Sequence, residues 1–419
     1  MKIDEFHNLF LAHPKICTDS RHIIVGGIFF ALRGSNFNGN EFALQAIEKG
    51  ASYAVVDESS ISHPNCVQVE NVLTFLQNLA TYHRNYCKTK VICLTGSNGK
   101  TTTKELLHVV LSKRFATLAT TGNFNNHIGV PLTLLRLRPE HEYAVVELGA
   151  NHMGEIKMLS QIAQPDFGLI TNFGKAHIEG FGSIENIVRG KMELFDYLIS
   201  NEKTIFFHAN DKRQCKELKE YPNKHPYGLS AKLKLLQATS QIEMQYKQAF
   251  IKSELFGSYN ADNISAAIAV GSYFEVSDEQ IAQAISAYRP SNMRSQLLTK
   301  GEHEIVLDAY NANPSSMELA LRSFQQTHKE NSLPILGDMF ELGTHSAVEH
   351  QNIVDLLEEL GFKNAVLVGK HFSNTKSTFQ QFQDVEGFIE WLKEHPLKEK
   401  HLFIKGSRSM QLETILEYL

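Results

Sequence analysis

The segment LTGSNGKTTTKELL, residues 94–107, constrains the fold more than any other part of the sequence. It connects an apolar run at 91–94, which predicts a strand, to a pattern that predicts a helix from 101 to 113. Gly96 and Gly99 allow the connecting backbone to turn sharply and to bring its N–H groups close to a ligand. Because the first N–H groups of a helix lack internal partners and carry partial positive charge, they suit a phosphate. The segment therefore favours a phosphate-binding loop, and a plain strand-to-helix turn is the alternative.

This loop is shorter than the general phosphate-binding pattern G-x-x-x-x-G-K-[ST]. Leu94 stands where that pattern has its first glycine, five positions before Gly99, so the motif here is G-x-x-G-K-T-T. Lys100 would place its charge on the terminal phosphates, and Thr101 would offer its hydroxyl to Mg²⁺. The predicted nucleotide contacts of the loop are Gly96, Asn98, Gly99, Lys100, Thr101 and Thr102.

Length and charge narrow the class of protein further. At roughly 150 residues per domain, a chain of 419 residues predicts two or three domains. A net charge of -5 argues against nucleic acid or an anionic membrane as the main partner, because such surfaces usually carry an excess of basic residues. The five cysteines are dispersed, there is no signal-like N-terminus, and no apolar run approaches the ~20 residues of a membrane span. We therefore expect a cytoplasmic protein with no nucleic-acid partner and no membrane insertion.

The chain divides into three α/β blocks. In residues 1–88, short predicted strands at 28–32 and 53–57 flank a helix that Gly50 closes. Residues 89–292 contain nearly continuous apolar strands separated by helices, which predicts a doubly wound, mostly parallel sheet covered on both faces. A Pro-, Ser- and Asn-containing segment at 288–296 predicts a linker. Strand and helix patterns then alternate again through residues 293–419, which predicts a second doubly wound sheet.

Ten segments, in order along nearly the whole chain, resemble the Mur ligase family of ATP-dependent, peptide-bond-forming enzymes. They are TDSRHIIVGGIFFALRG, TGSNGKTTT, TTGNFNNHIGVPLTLL, VVELGANHMGEI, TNFGKAHIEGFGS, GKMELF, GSYNADNISAA, LDAYNANPSSM, LGDMFELG and IKGSRSM. Five of these regions look most like the members that add D-alanyl-D-alanine to UDP-N-acetylmuramoyl-tripeptide. The resemblance implies an N-terminal UDP-substrate domain at 1–88, a central ATP-binding domain at 89–292, and a C-terminal Rossmann-like domain at 293–419 that binds D-alanyl-D-alanine.

The implied activity is that of a monomeric ligase in peptidoglycan precursor synthesis, and hence in cell wall biogenesis, cell shape and cell division. ATP would convert the tripeptide carboxylate to an acyl phosphate, and the dipeptide amine would then displace phosphate. Because two anions meet in the first step, Mg²⁺ ions and lysines must neutralise both. Two alternatives stay open: another amide ligase of the superfamily, such as a different muramyl ligase or a folylpolyglutamate synthetase-like enzyme, and a non-catalytic nucleotide-binding scaffold. The third residue of the peptide, lysine or diaminopimelate, also stays open.

The resemblance implies a catalytic centre with two Mg²⁺ ions. Glu147 ends a predicted strand, a good position for a ligand in an open α/β sheet, and would bind Mg²⁺ beside Thr101. His177 would bind a second Mg²⁺, although by itself it would be a hydrogen-bonded loop histidine. Lys191 would be an ordinary exposed helix lysine by its sequence context, but the matching lysine in the family carries a CO₂-derived carbamate. Only a neutral amine adds CO₂, so such a site must favour deprotonation.

Nucleotide contacts are implied on both sides of the linker. Asn260 and Asn263 carry amides suited to an adenine edge, although alone they would be helix-start caps. Asp308 and Asn311 would contact the ribose and the base, and Arg294 would reach the γ-phosphate when the domains close. Two neighbours depart from the family pattern: Tyr259 stands where histidine is common, and Met293 where glycine is common.

Substrate contacts are implied in all three blocks. The N-terminal block would contact the uridine diphosphate through Ser20, Arg21 and Arg33. The loop after the ATP site would contact the sugar or peptide through Asn123, Asn125 and Asn126. The segment KGSR offers Lys405 and Arg408, and the guanidinium of Arg408 suits the dipeptide carboxylate. Asp338 and Glu341, both in LGDMFELG, would orient the incoming ammonium or accept its proton.

Overall fold

Three sheets rich in parallel strands follow one another along the chain, which confirms the predicted α/β class. The structure is a computed structural model that describes residues 1–238, 241–328 and 330–419. None of the helices in these ranges is both long enough and apolar enough to cross a membrane.

The first sheet has four parallel strands in the order β1-β2-β5-β6. A short antiparallel pair, β3 and β4, lies beside it. The strands are β1 (Ile16–Cys17), β2 (Ile28–Phe30), β3 (Arg33–Gly34), β4 (Phe37–Asn38), β5 (Tyr53–Val56) and β6 (Cys66–Gln68). The helices are α1 (Ile3–Ala12), α2 (Ala43–Glu48) and α3 (Val72–Cys87). The predicted strands at 28–32 and 53–57 begin at the expected residues and end one or two residues early.

The central sheet has six parallel strands in the order β12-β11-β10-β7-β9-β8. They are β7 (Lys90–Thr95), β8 (Thr117–Ala119), β9 (Tyr143–Glu147), β10 (Phe167–Ile170), β11 (Thr204–His208) and β12 (Lys224–Tyr227). The helices are α4 (Lys100–Leu111), α5 (Gly129–Leu134), α6 (Glu155–Ala163), α7 (Ile178–Phe181), α8 (Ile184–Ser200) and α9 (Lys212–Glu217). Since β7 lies between β9 and β10, the loops that follow these three strands meet at one edge of the sheet.

An antiparallel sheet that sequence reasoning missed follows the central sheet. It contains β13 (Leu233–Ala238), β14 (Ile242–Tyr246) and β15 (Ala249–Ser253), and two helices come next, α10 (Asn260–Tyr273) and α11 (Asp278–Ala287). In β14, buried Ile242, Met244 and Tyr246 alternate with half-buried Glu243 and Gln245. This alternation is typical of a sheet with one face exposed to water, and it interrupts the continuous apolar runs that predict buried strands.

The C-terminal sheet has six strands in the order β16-β17-β21-β18-β19-β20, and β16 alone runs antiparallel to its neighbour. They are β16 (Gln296–Lys300), β17 (His303–Asp308), β18 (Ser332–Gly337), β19 (Val366–Val368), β20 (Gln380–Phe382) and β21 (His401–Lys405). The helices are α12 (Pro314–Thr327), α13 (Ser346–Glu359) and α14 (Val385–Glu394). Asn313 caps α12 by accepting from the N–H of Ser316, and Pro314 occupies its first turn, as the sequence predicts.

Candidate active site

A cavity of about 420 Å³ lies where the carboxyl edge of the central sheet faces the C-terminal domain. Most of the predicted site residues line it, although they are spread over more than 300 positions of the sequence. They are Asn98, Gly99, Lys100, Thr101, Thr102, Asn123, Asn125, Asn126, Glu147, His177, Asn260, Asn263, Arg294, Asp308, Asn311 and Lys405.

The glycine loop leaves no room for side chains at its two turning points. Gly99 has φ +77°, and a Cβ there would lie 2.4 Å from Oδ1 of Asn263. Gly96 has φ +147°, and a Cβ there would lie 2.0 Å from Oγ1 of Thr171. Helix α4 begins at Lys100, so its free N–H groups point out of this bend. A nucleotide phosphate therefore fits this loop, because the backbone comes close and presents donors.

Lys100 is held over its own loop. Its Nζ donates to the carbonyl oxygens of Gly96, at 2.7 Å, and Ser97, at 3.3 Å. Burial lowers the pKa of this amine, while Glu147 opposes the shift. The guanidinium Nε of Arg294 faces the same cavity, is buried, and has no hydrogen-bond partner among the described residues. Two cationic side chains thus border the space beside the loop, which suits an anionic ligand.

Glu147 is a buried carboxylate at the end of β9. It accepts hydrogen bonds from the hydroxyl of Thr101, at 2.9 Å, and from Nδ2 of Asn125, at 2.8 Å. The side chain is almost wholly enclosed, with 2% of the residue exposed. A hydroxyl and a carboxylate at this spacing are oxygen donors of the kind that Mg²⁺ prefers.

Lys191 is fully buried in α8, so the prediction of an exposed helix lysine is wrong. Its Nζ donates to the carbonyl of Ala150 at 3.3 Å and lies 5.2 Å from the centre of the Phe181 ring. Burial lowers the pKa of this amine well below its usual value, and the charge of Lys100 adds to the effect. The sequence does not reveal this burial, because a lysine in a helical pattern usually indicates an exposed face. In the structure, the face of α8 that carries Lys191 is packed instead.

His177 contacts the C-terminal domain. It has φ +56°, and its Nδ1 lies 2.5 Å from Oε2 of Glu341. This contact is the main reason that the pKa of Glu341 lies below its usual value, with Lys100 contributing less. The N–H of Glu179 also donates to the carbonyl of Glu341, at 3.2 Å. The segment that contains LGDMFELG thus contacts His177, which lines the cavity, through Glu341.

Asn260 and Asn263 brace α10 against α4. Nδ2 of Asn263 donates to Oδ1 of Asn260 at 2.7 Å, and Oδ1 of Asn263 accepts from the hydroxyl of Thr103 at 3.0 Å. Nδ2 of Asn260 donates to the carbonyl of Phe256 at 2.7 Å. Tyr259, at the position that departs from the family pattern, lies with its hydroxyl 2.9 Å from Oγ of Ser295.

Lys405 and Asp308 form an ion pair instead of standing free for separate ligands. Nζ of Lys405 lies 2.6 Å from Oδ2 of Asp308 and 3.2 Å from the carbonyl of Asn311. Beside them, the guanidinium of Arg294 stacks over the Tyr310 ring, 3.8 Å from its centre. The sequence named four of these five residues but could not show that two of them neutralise each other.

Asp338 and Arg408 do not line the cavity. Asp338 is buried and accepts from the N–H groups of His371 and Phe372, both at 2.9 Å, which ties a turn inside the C-terminal domain. Arg408 is exposed and pairs with Glu413. The geometry therefore gives Asp338 a structural part, and it gives Arg408 an internal carboxylate partner.

The three predicted uridine-diphosphate contacts also lie outside the cavity. Arg21 pairs with Asp19 at 2.8 Å, and Arg33 pairs with Asp57 at 3.0 Å. Ser20 is nearly buried, at 9% exposure, in the same domain.

Two residues that the sequence did not assign to the site hold the glycine loop. Asn172, just after β10, accepts from the N–H of Asn98 at 3.0 Å and donates to its carbonyl at 3.0 Å. Asn313, from the C-terminal domain, donates to Oδ1 of Asn98 at 2.7 Å. The position of Asn172 at a strand end was an available signal, whereas the contact of Asn313 depends on how the domains meet.

Two family models match this chain. Residues 94–271 match the Mur ligase middle domain, and residues 293–408 match the model described as Mur ligase, glutamate ligase domain. The UDP-N-acetylmuramoyl-tripeptide--D-alanyl-D-alanine ligase of Bacillus subtilis (strain 168) is 33% identical, over 96% of this chain and 92% of that protein. The protein of the same name from Escherichia coli (strain K12) is 31% identical, over 96% of this chain and 93% of that protein.

Solved structures show the same similarity. MurF from Acinetobacter baumannii superposes with a TM-score of 0.83 at 32% identity and covers 96% of this chain and 92% of its own. MurF ligase from Thermotoga maritima in complex with ADP gives a TM-score of 0.86 at 25% identity, over 98% and 97% of the two chains. A folylpolyglutamate synthase of Mycobacterium tuberculosis gives a TM-score of 0.62 at 12% identity, over 83% of this chain and 94% of that one, which is a likeness of fold alone.

Proposed function

The chain belongs to the Mur ligase family, and we propose that it joins D-alanyl-D-alanine to UDP-N-acetylmuramoyl-tripeptide, converting ATP to ADP and phosphate. The observation that carries this proposal is an identity of 31–33% over 96% of the chain to ligases that bear the name of this reaction. The product is a precursor of peptidoglycan, so the enzyme serves cell wall biogenesis. The likeness to folylpolyglutamate synthase is one of fold alone and does not favour that alternative.

The reaction proceeds through an acyl phosphate in this proposal. A carboxylate oxygen of the tripeptide attacks the γ-phosphorus of ATP, and ADP leaves. The amine of the dipeptide then attacks the acyl carbon and loses a proton, and phosphate leaves with the C–O bond electrons. Lys100 and Arg294 are placed to offset the charge of the meeting anions. Asp308 and Lys405 would orient the nucleotide as a pair.

Mg²⁺ fits the oxygen donors beside the loop, and we assign Thr101 and Glu147 to hold it. When bound, it would offset the negative charge that accumulates on the phosphates. His177 and Lys191 would complete a second Mg²⁺ site. Burial lowers the pKa of the Lys191 amine well below its usual value, which favours the neutral form that adds CO₂, forming a carbamate and releasing a proton. Intact-protein mass spectrometry under CO₂ should then show a labile carboxylate increment that Lys191→Met lacks.

The three domains divide the substrates in this proposal. Residues 1–88 bind the UDP portion, 89–292 bind ATP, and 293–419 bind D-alanyl-D-alanine. Contacts between the last two, such as Asn98 with Asn313 and His177 with Glu341, close the cavity. Holding reactants in line lowers a barrier by ~7–11 kcal/mol, and closure protects the acyl phosphate from water. We propose that the enzyme acts as a monomer in the cytoplasm, where ATP and UDP-linked sugars are available.

A screen of amine acceptors tests the proposal. The purified chain receives ATP, Mg²⁺ and UDP-N-acetylmuramoyl-tripeptide, with either lysine or diaminopimelate as the third residue, and ADP release is followed with each acceptor. We expect release to require both the tripeptide and D-alanyl-D-alanine, and not glutamate or a free diamino acid. Lys100→Met serves as the inactive control. ADP release with another amine, or rapid ATP hydrolysis by the chain alone, would refute the assignment.

A binding measurement separates the ligase from a non-catalytic scaffold. ATP at ~100 times its dissociation constant should add ~2.7 kcal/mol to the stability of either one. Nucleotide-dependent stabilisation without product in the acceptor screen would identify a scaffold.

A further inference from the structure

Glu304, His328 and His401 form a cluster of possible metal ligands. It lies at the amino-terminal ends of β17 and β21, the strand ends that are away from the cavity. In the described part of the chain, this is the one set of three His, Cys, Asp or Glu residues whose ligand atoms all lie within 4.8 Å of one another. Glu304 and His401 are register partners on β17 and β21, and His328 follows the C-terminal end of α12. Three separate elements therefore contribute one donor each.

This cluster is separate from the proposed Mg²⁺ centre. Asp308 and Lys405 are register partners four residues further along the same two strands, and both line the cavity. At 3.3 Å per residue, the two pairs are roughly 13 Å apart along the strands. A ligand at Glu304 would thus lie at the opposite end of these strands from the proposed nucleotide site.

Two ring nitrogens in the cluster have no hydrogen-bond partner in the described part of the chain. Nδ1 of His328 and Nδ1 of His401 are both buried, and neither has a hydrogen-bond partner among the described residues. Nδ1 of His401 lies 3.2 Å from Oε2 of Glu304, and the two imidazole rings have centroids 4.3 Å apart. Nδ1 of His401 thus has an ion-pair contact but no hydrogen bond. Since buried polar atoms are normally satisfied by hydrogen bonds, these two nitrogens beside one carboxylate indicate a missing partner.

The surroundings hold the rings in place and leave the carboxylate accessible. His328 packs against Phe256 and Phe324, with ring centroids 6.5 Å and 5.1 Å away. Burial lowers the pKa of His328 to about 4, so its ring is neutral at pH 7 and can offer a lone pair. Glu304 is half exposed, and its other oxygen lies 3.4 Å from Nζ of Lys400, an ammonium that can swing into solvent.

We propose that Glu304, His328 and His401 bind one Zn²⁺ ion. Two imidazoles and one carboxylate form a ligand set that zinc accepts, with water in the fourth position, whereas Mg²⁺ prefers oxygen alone. Bringing donors that lie up to 4.8 Å apart onto one ion requires a small inward movement of the side chains. The ion would tie the end of α12 to β17 and β21 and so stabilise the C-terminal domain.

The test is a Zn²⁺ titration of the untagged, full-length, chelator-treated chain against a competing chromophoric chelator. We expect one tight site per chain, and a rise in melting temperature on adding Zn²⁺. His328→Gln and His401→Gln should each weaken binding by more than about tenfold, since even supporting residues of metal sites contribute that much. Glu304→Gln, a change at a half-exposed residue, keeps the test valid if a histidine variant fails to fold.

Two control variants locate the ion. His345→Gln removes an exposed imidazole outside the cluster and should leave the titration unchanged. His177→Gln removes a histidine that lines the cavity and should also leave the tight Zn²⁺ site intact, which separates this cluster from the proposed catalytic centre. If the chain binds no Zn²⁺ in the titration, or if the cluster variants bind it with unchanged stoichiometry and affinity, the proposal is refuted.

Discussion

Replacing Gly99 by alanine should destabilise the glycine loop for two reasons that the structure separates. Gly99 caps α4 with φ +77°, a conformation that costs an L-residue roughly 1–2 kcal/mol. The new Cβ would also lie 2.4 Å from Oδ1 of Asn263, so this side chain must move. Asn263 would then lose its bonds to Thr103 and Asn260, each worth about 1 kcal/mol. The total is about 3–4 kcal/mol.

Gly154→Ala is a matched control for this change. Gly154 caps α6 with φ +85°, but a Cβ there would meet nothing within 4 Å. It should cost only the backbone contribution, about 1–2 kcal/mol. The difference between the two variants, about 2 kcal/mol, measures the close approach of Asn263 to the loop.

Isothermal titration with ADP, together with thermal melting, measures both consequences of Gly99→Ala. If the bound state must restore the native loop at the full cost of about 3–4 kcal/mol, ADP affinity should fall by about 10²–10³-fold, since 1.4 kcal/mol corresponds to a factor of ten. Adding Asn263→Ala to Gly99→Ala should cost little further stability, because the hydrogen bonds of Asn263 to Thr103 and Asn260 are already lost in Gly99→Ala. Equal losses in Gly99→Ala and Gly154→Ala, with no coupling to position 263, would refute the reasoning.

Three further predictions follow from the buried groups. Glu147→Gln should lower kcat by about 10²–10³-fold and raise the Mg²⁺ concentration needed for turnover, while thermal melting shows a folded protein; an unchanged Mg²⁺ dependence would contradict the metal assignment. Lys191→Met should abolish ligase activity but leave stability equal or higher, because it removes a buried amine with a lowered pKa; a large fall in melting temperature would oppose this. Burial lowers the pKa of His83 to about 4, so between pH 6.5 and 4 the unfolded chain binds a proton that the folded chain does not. Stability should therefore fall by about 3 kcal/mol as the pH drops through that window, and His83→Gln, compared by chemical denaturation, should flatten the slope.

The sequence was informative about this site where chemistry and local structure coincide. Gly96, Gly99 and Lys100 stand between a strand and a helix, and a strand-to-helix bend of this kind is defined by residues that are neighbours in the chain. Asn313 and Pro314 predicted the start of α12 for the same reason. Alternating sheets such as β13–β15 were missed, because half of their residues face water and interrupt the apolar pattern.

The sequence by itself determined the α/β class, the glycine loop between β7 and α4, and the family, since all three depend on short-range patterns and on motifs in a fixed order. The tertiary structure alone decided which charges face each other. It buried Lys191, paired Lys405 with Asp308, tied Asp338 to backbone N–H groups, and brought His328 beside His401. The physical reason is that a side chain's ionisation and role depend on partners and burial that folding brings from distant parts of the chain, and no local pattern specifies them.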